Sequence, residues 1–267
     1  ITSAGSGSDM LALWTLQDRK LKFTRVPLGG GGLVPNLLSG NVDAVVLYSP
    51  LTFQFMKSKE VRSLIDFGAE VPPHLTSAWI ASDKIIKEKP QVVQKTVNAL
   101  YGAVAFLSDP KNRAEAVKIL AKPNYVGADA GVIANSMTGT FEYEKGDKRP
   151  VPDFNVFFRY NATYPYYSDA VWYLTQMRRW GQIPEAKTDT WYMDIAKKVY
   201  RPDIYRQAAE ALVAEGKMKA SDFPDFAKET GFRPKTVDFI DGMEYDGTAP
   251  NAYLEKFQIG LKGDAKL

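Results

Sequence analysis

The residues best placed to do chemistry stand at the start of the chain, in Ser3-Ala4-Gly5-Ser6-Gly7-Ser8-Asp9. Gly5 and Gly7 let a ligand come close to the main chain, and the hydroxyls of Ser3, Ser6 and Ser8 add polar contacts beside a carboxylate, Asp9. The apolar pattern that follows reads as a helix, whose first amides have no acceptor within it. Such amides suit an anion, which the helix dipole favours by ~0.3–1 kcal/mol, and by about 2 when partly buried. The same residues also fit a plain strand-to-helix turn in which Ser6 or Ser8 caps the helix and nothing is bound. Nucleotide binding is disfavoured, since the turn lacks the Gly-Lys-Ser/Thr of a phosphate loop and the third glycine of a dinucleotide fingerprint.

Two further places invite a ligand. Gly29 to Gly32, with Gly30 inside the run, carries a backbone entropy cost that a simple turn does not require. It reads either as a close approach to a ligand or a moving lobe, or as a flexible surface loop. Arg159 lies in a Pro- and aromatic-rich stretch with Phe157, Phe158, Tyr160, Tyr164, Tyr166 and Tyr167. A desolvated arginine among tyrosine hydroxyls can hold an anion, although core packing accounts for most of these rings.

Other chemistries have little to work with. Cysteine is absent, which removes disulfides, thiolate metal sites and cysteine nucleophiles. His74 is the sole histidine, so no histidine pair can hold a metal, and no nucleophile elbow stands between a strand and a helix. Asp43, Glu142, Asp153 and Asp169 form no recognisable pair in sequence. No cofactor is expected.

The elements that must position these residues follow an α/β order. Residues 1–3 read as a strand tail, followed by the glycine-serine turn and a helix carrying Met10, Leu11, Leu13, Trp14 and Leu16. Residues 22–27 alternate like a strand, and a short helix follows the glycines at 34–38. The run Val-Asp-Ala-Val-Val-Leu-Tyr at 42–48 suits a strand buried on both faces of a parallel sheet. This βαβαβ order puts ligand-binding loops at strand carboxyl ends. Residues 77–82 read as a further strand. Helices are expected at 90–107, 113–121, 130–137, 168–180, 194–199 and 202–215, with a long loop over 145–167. Because Ile1-Thr2-Ser3 reads as a strand without its beginning, a portion upstream is expected to be absent from this chain.

The 34 basic and 31 acidic side chains are dispersed, giving a formal charge of +3 and no basic stripe for nucleic acid. No apolar run reaches the roughly 18 residues of a membrane span, and no leader is visible.

With those motifs in hand, the chain resembles the nitrate, sulfonate, taurine and bicarbonate group of ABC-transporter substrate-binding proteins. Thr-Ser-Ala-Gly-Ser-Gly-Ser-Asp-Met at 2–10, Pro-Leu-Gly-Gly-Gly-Gly at 27–32 and Leu-Ser-Gly-Asn-Val-Asp-Ala-Val-Val at 38–46 carry the likeness. Residues 113–127, 164–181 and 239–253 are more similar to the nitrate and bicarbonate branch. The resemblance implies a two-lobed α/β fold, the type II periplasmic-binding-protein fold, lacking the N-terminal part of its first lobe. Residues 1–78 would form the second lobe, and 79–267 the remainder of the first with a C-terminal helical extension. It also implies that the 3–9 turn faces the cleft together with Tyr48 and Ser49, and that Arg159 stands where that branch carries a basic contact. A monomer outside the cytoplasmic membrane, in the periplasm or held by a lipid anchor, would then take a small anionic solute to ABC permease transmembrane subunits. No nucleic acid and no catalysis are involved. The alternatives are an enzyme on the same fold, resembling a pyrimidine-precursor synthase and needing His74 in the cleft, and a sensory domain.

Overall fold

The computed structural model describes residues 1–3, 6–18, 21–47, 78–144, 146–152, 154–237, 239 and 242–260. Along the chain run α1 (Gly7–Asp18), α2 (Gly29–Leu38), α3 (Asp83–Glu88), α4 (Pro90–Ser108), α5 (Arg113–Leu120) and α6 (Ala130–Met137). A hairpin of β1 (Thr140–Glu144) and β2 (Asp147–Pro150) precedes α7 (Tyr167–Arg179), α8 (Asp189–Val199), α9 (Pro202–Ala214) and α10 (Pro250–Leu254).

Local chemistry sets the helix starts. Asp129 accepts from Gly131 and Val132 N–H at the head of α6, Thr188 accepts from Trp191 N–H at α8, and Ser82 accepts from Ile85 N–H at α3. Prolines open α4, α9 and α10, where an absent N–H costs nothing. The Thr188 cap explains why α8 begins at Asp189, earlier than the apolar pattern of 194–199 suggested.

The largest departure from the sequence reading concerns strands. Residues 22–28 and 41–47 belong to no named strand, and the run 42–47, expected to be buried on both faces, is half-buried to exposed. Its apolar composition invited a two-sided layer, but among the described residues no second layer covers it; residues 48–77 lie outside them. Parallel pairing survives in rudiment: Ile1 donates to the Val26 carbonyl, and Leu28 and Gly29 N–H donate to the Ile1 and Thr2 carbonyls. These bonds fold α1 back between two parallel segments, the first βαβ step of the expected order. The β1–β2 hairpin was missed. It falls at the edge of the expected 145–167 loop, turned at Gly146 with φ +89°.

Among the described residues, four buried clusters hold the helices together. Tyr205, Ala209 and Leu212 of α9 pack with Tyr164, Tyr166 and Phe223, with Tyr101 of α4 edge-on to Tyr205 at 4.8 Å. Val171 of α7 meets Tyr192 and Ala196 of α8 and Leu254 of α10. Ala116 and Val117 of α5 face Ile133 and Met137 of α6, and Trp172, Tyr245 and Tyr253 form the fourth cluster. The aromatic concentration noted at 154–180 is therefore mainly core. None of the principal helix pairings includes α1 or α2.

Two glycines show how closely the C-terminal segment lies on α7. Gly231 takes φ +81°, and a Cβ there would meet the Tyr167 ring at 2.4 Å; a Cβ on Gly247 would lie 2.5 Å from that of Ser168. Gly231→Ala is expected to destabilise the protein by about 1–3 kcal/mol, combining overpacking with a left-handed backbone. Denaturant melts check this, and an unchanged midpoint would refute the close approach.

The tyrosine core makes stability sensitive to alkali. Burial pushes Tyr205 and Tyr200 up to about 12, and Tyr101 and Tyr164 higher still. An unfolded tyrosine ionises near pH ~10. The folded state therefore holds these protons more tightly: stability is unaffected below pH ~10 and is lost as pH rises from there through the folded values. Tyrosinate absorbance and circular dichroism are expected to change together above pH ~10. Buried tyrosines that titrated near 10 with the helical signal intact would contradict this.

Candidate functional site

The corner at 3–9 is built around a knot of hydroxyls. Ser6 Oγ accepts from Asp9 N–H at 3.2 Å, capping α1, and donates to the Ser3 carbonyl at 2.7 Å. Thr2 Oγ1 lies 2.8 Å from Ser8 Oγ and 3.2 Å from Ser6 Oγ, and the two serine oxygens are 2.9 Å apart. Ser8 is fully buried within this knot. The serine hydroxyls of Ser6 and Ser8 thus hold the corner's shape.

Asp9 has a different task from the one the sequence suggested. Its carboxylate is fully buried, and both its oxygens accept from Nη1 of Arg25, at 2.9 and 2.8 Å. An acid in the first turn suits the helix dipole, and the buried arginine supplies its counter-charge. Because one nitrogen takes both oxygens, Arg25 Nε is left buried without a partner among the described residues. Arg25 was not singled out from sequence. The signal was available: in the alternation of residues 22–27 it shares a face with Phe23, and a buried guanidinium requires a carboxylate.

What the corner offers to a ligand is backbone. Among the described residues the Gly7 N–H has no acceptor, Gly7 is exposed, and a Cβ placed on it would meet nothing within 4 Å. The glycine run belongs to the same place. It is not a loop preceding a helix, as its composition suggested, but the first turn of α2, held by burial of Leu33 and by Asn36 Nδ2 donating to the Gly32 carbonyl at 2.8 Å. Gly29 N–H donates to the Thr2 carbonyl at 2.9 Å, so the first residue of α2 lies beside the segment that leads into α1. Gly30 and Gly31 are exposed there with open space around each. An exposed glycine amide at a helix start favours an anion.

The remaining candidates do not all join it. Arg159 is exposed on the short turn Arg159–Asn161, with its guanidinium 5.6 Å from the Tyr160 ring centre, and the helix starts of α1 and α2 make no principal contact with that turn. Tyr160 and Asn161 both take left-handed backbone, φ 63° and 52°. Gly5, Tyr48, Ser49 and His74 lie outside the described residues, as does Asp153. Two cavities lie elsewhere. One, of about 240 Å³, has Arg233 and Ser168 in its wall, but Arg233 is held by Asp169 at 2.8 and 3.1 Å and Ser168 Oγ accepts from Arg233 N–H. The other, of about 590 Å³, is an apolar groove between α9 and Phe223–Phe226 side chains. Among the described residues no group of three acids or histidines could hold a metal, and no helix is long and apolar enough to cross a membrane.

Comparisons with known proteins point one way. Residues 1–121 match the model of the NMT1-like family. The nitrate/nitrite binding protein NrtA of Nostoc sp. is 29% identical over 231 residues, which is 85% of this chain and 49% of that protein. The bicarbonate-binding protein CmpA of Synechococcus sp. is 23% identical over 249 residues, 91% of this chain and 53% of that one. The chain thus spans about half the length of these curated relatives. The crystal structure of the periplasmic nitrate-binding protein NrtA from Synechocystis PCC 6803 superposes with a TM-score of 0.84 at 23% identity, covering 96% of this chain and 65% of that one. That likeness shows the fold: the α/β, two-lobed periplasmic-binding class expected from the sequence. The resemblance to the nitrate and bicarbonate binding proteins is borne out.

Proposed function

We propose that this chain, a relative of the nitrate and bicarbonate binding proteins, captures a small oxyanion on the paired helix starts of α1 and α2 and hands it to an ABC importer. The observation that supports the reading is the exposed, unpartnered Gly7 amide at the start of α1, with the glycine start of α2 tied to the same segment by the Gly29-to-Thr2 hydrogen bond. Backbone amides recognise charge and shape without supplying a proton, so the anion leaves as it arrived. The binding-protein relatives support a role without catalysis.

In this reading residues 1–78 form one lobe and 79–267 belong to the other. Tyr48, Ser49 and Arg159 complete the contacts once the lobes close, in the manner of a hinged binding protein. The binding protein works as a monomer outside the cytoplasmic membrane, and its partner is the transmembrane permease. Calorimetry against nitrate, bicarbonate, taurine, alkanesulfonates and aromatic acids tests the proposal. A solute at 100 times its Kd is expected to raise the unfolding free energy by about 2.7 kcal/mol. If no anion of this panel produced either heat or a shift in melting, the proposal would be wrong.

A further inference from the structure

The C-terminal segment folds back on the first turn of α7 and is tied down at several points. Thr236 and Tyr245 exchange both backbone hydrogen bonds, and the Tyr245 hydroxyl donates to the Ser168 carbonyl at 2.7 Å. Gly247 approaches Ser168 so closely that a Cβ there would meet that of Ser168 at 2.5 Å. Between the two parts a cavity of about 240 Å³ is left, with Tyr166, Phe239 and Tyr245 in its wall. These aromatic walls are fixed by neighbours. The Phe239 and Tyr245 rings lie 4.7 Å apart at 30°, and Phe239 stands edge-on to Trp172 at 6.0 Å.

The polar groups of the wall are few. Arg233 takes both oxygens of Asp169, with Nε at 2.8 Å and Nη2 at 3.1 Å, and its guanidinium lies 4.0 Å from the centre of the Tyr166 ring. This fork leaves Nη1 without an acceptor among the described residues. Ser168 is 1% exposed, and its Oγ accepts from the Arg233 N–H at 3.1 Å. Its own hydroxyl hydrogen has no acceptor among the described residues either. A buried donor in that state favours any ligand that brings it an oxygen.

We propose that this cavity is a second binding site, for a small uncharged aromatic molecule that carries a carbonyl oxygen. Charge excludes an ion: Asp169 already balances Arg233, so a further charge would enter a largely apolar space without a counter-charge. The aromatic walls suit a flat ring, and the two unused hydrogens are both donors, which calls for an acceptor on the ligand. At about 240 Å³ the cavity falls just short of the ~300–1,000 Å³ of pockets for drug-sized ligands, and so takes a single substituted ring. The site is independent of the anion reading at α1 and α2, and neither result decides the other.

Benzamide is the probe, with benzoate as its charged counterpart and toluene as the ring without an acceptor. Each is titrated into the full chain by ligand-observed NMR. Benzamide is expected to bind saturably and at least tenfold more tightly than either counterpart. Failure of benzamide to saturate, or equal affinity for all three, overturns the proposal on the unmodified protein. Ser168→Ala is expected to weaken benzamide at least fivefold while leaving toluene unchanged. Because Ser168 also accepts from the Arg233 N–H, circular dichroism first establishes that this variant is folded. Arg233→Lys, which keeps a cation for Asp169 and removes the guanidinium edge, is expected to show the same selective loss. Benzamide affinity that survives both changes places the ligand elsewhere and overturns the proposal.

Discussion

Replacing Arg25 by methionine is expected to destabilise the protein by about 3–5 kcal/mol, the cost of leaving a buried carboxylate without its counter-charge. Asp9 is fully buried and both its oxygens accept from Arg25 Nη1, so removing that nitrogen takes away the carboxylate's buried counter-charge. Asp9→Ala should cost a similar amount, since it strands a guanidinium whose Nε already lacks a partner among the described residues. The double replacement is expected to recover much of the loss, because an apolar pair has no charge to satisfy. Denaturant unfolding of the wild type, both single variants and the double variant measures the coupling. Losses below 1 kcal/mol in each single variant, or strictly additive ones, would show that the pair is not buried in this way. The same cycle separates the two readings of Asp9. A ligand-contacting acid would change solute affinity with little effect on stability, and a structural acid would do the reverse.

Gly7→Pro is expected to weaken anion binding by on the order of ten- to a hundredfold, equivalent to the roughly 1.5–3 kcal/mol of one hydrogen bond to a charged group. The substitution is unusually clean. Gly7 is the first residue of α1, where proline is well tolerated, it does not use positive φ, and its N–H has no acceptor among the described residues. Only the donor is lost. Gly7→Ala is the control: its Cβ meets nothing within 4 Å and its N–H remains. It should keep the affinity and gain about 0.4–1 kcal/mol of stability by restricting the unfolded chain. Calorimetry with the tightest anion of the panel, beside thermal melts, reads both effects. Should Gly7→Pro bind as well as Gly7→Ala, the amide at this position takes no part in recognition.

Both predictions concern a corner whose residue types were plain in the sequence and whose roles were not. The glycine-serine pattern announced a helix start with open amides, and the structure has one. The hydroxyls and the carboxylate looked like the ligand's partners because sequence shows which groups can bond and not which are already bonded. Ser8 is consumed by Thr2 and Ser6, and Asp9 by Arg25, sixteen residues away. Gly29 to Gly32 looked like a loop because glycine is a poor helix former. Burial of Leu33 and the Asn36 hydrogen bond outweigh that propensity.

The amino-acid sequence by itself determined most of the longer helices of the C-terminal part, because apolar spacing, N-cap side chains and opening prolines act within a few residues. It also determined the absence of thiol chemistry and the resemblance to an anion-binding family, since both are matters of residue identity and order. Tertiary structure decided which polar groups are already satisfied, and that the glycine run begins a helix tied back to Thr2. Those depend on contacts between residues far apart in the chain, and local pattern carries no information about a partner it does not contain.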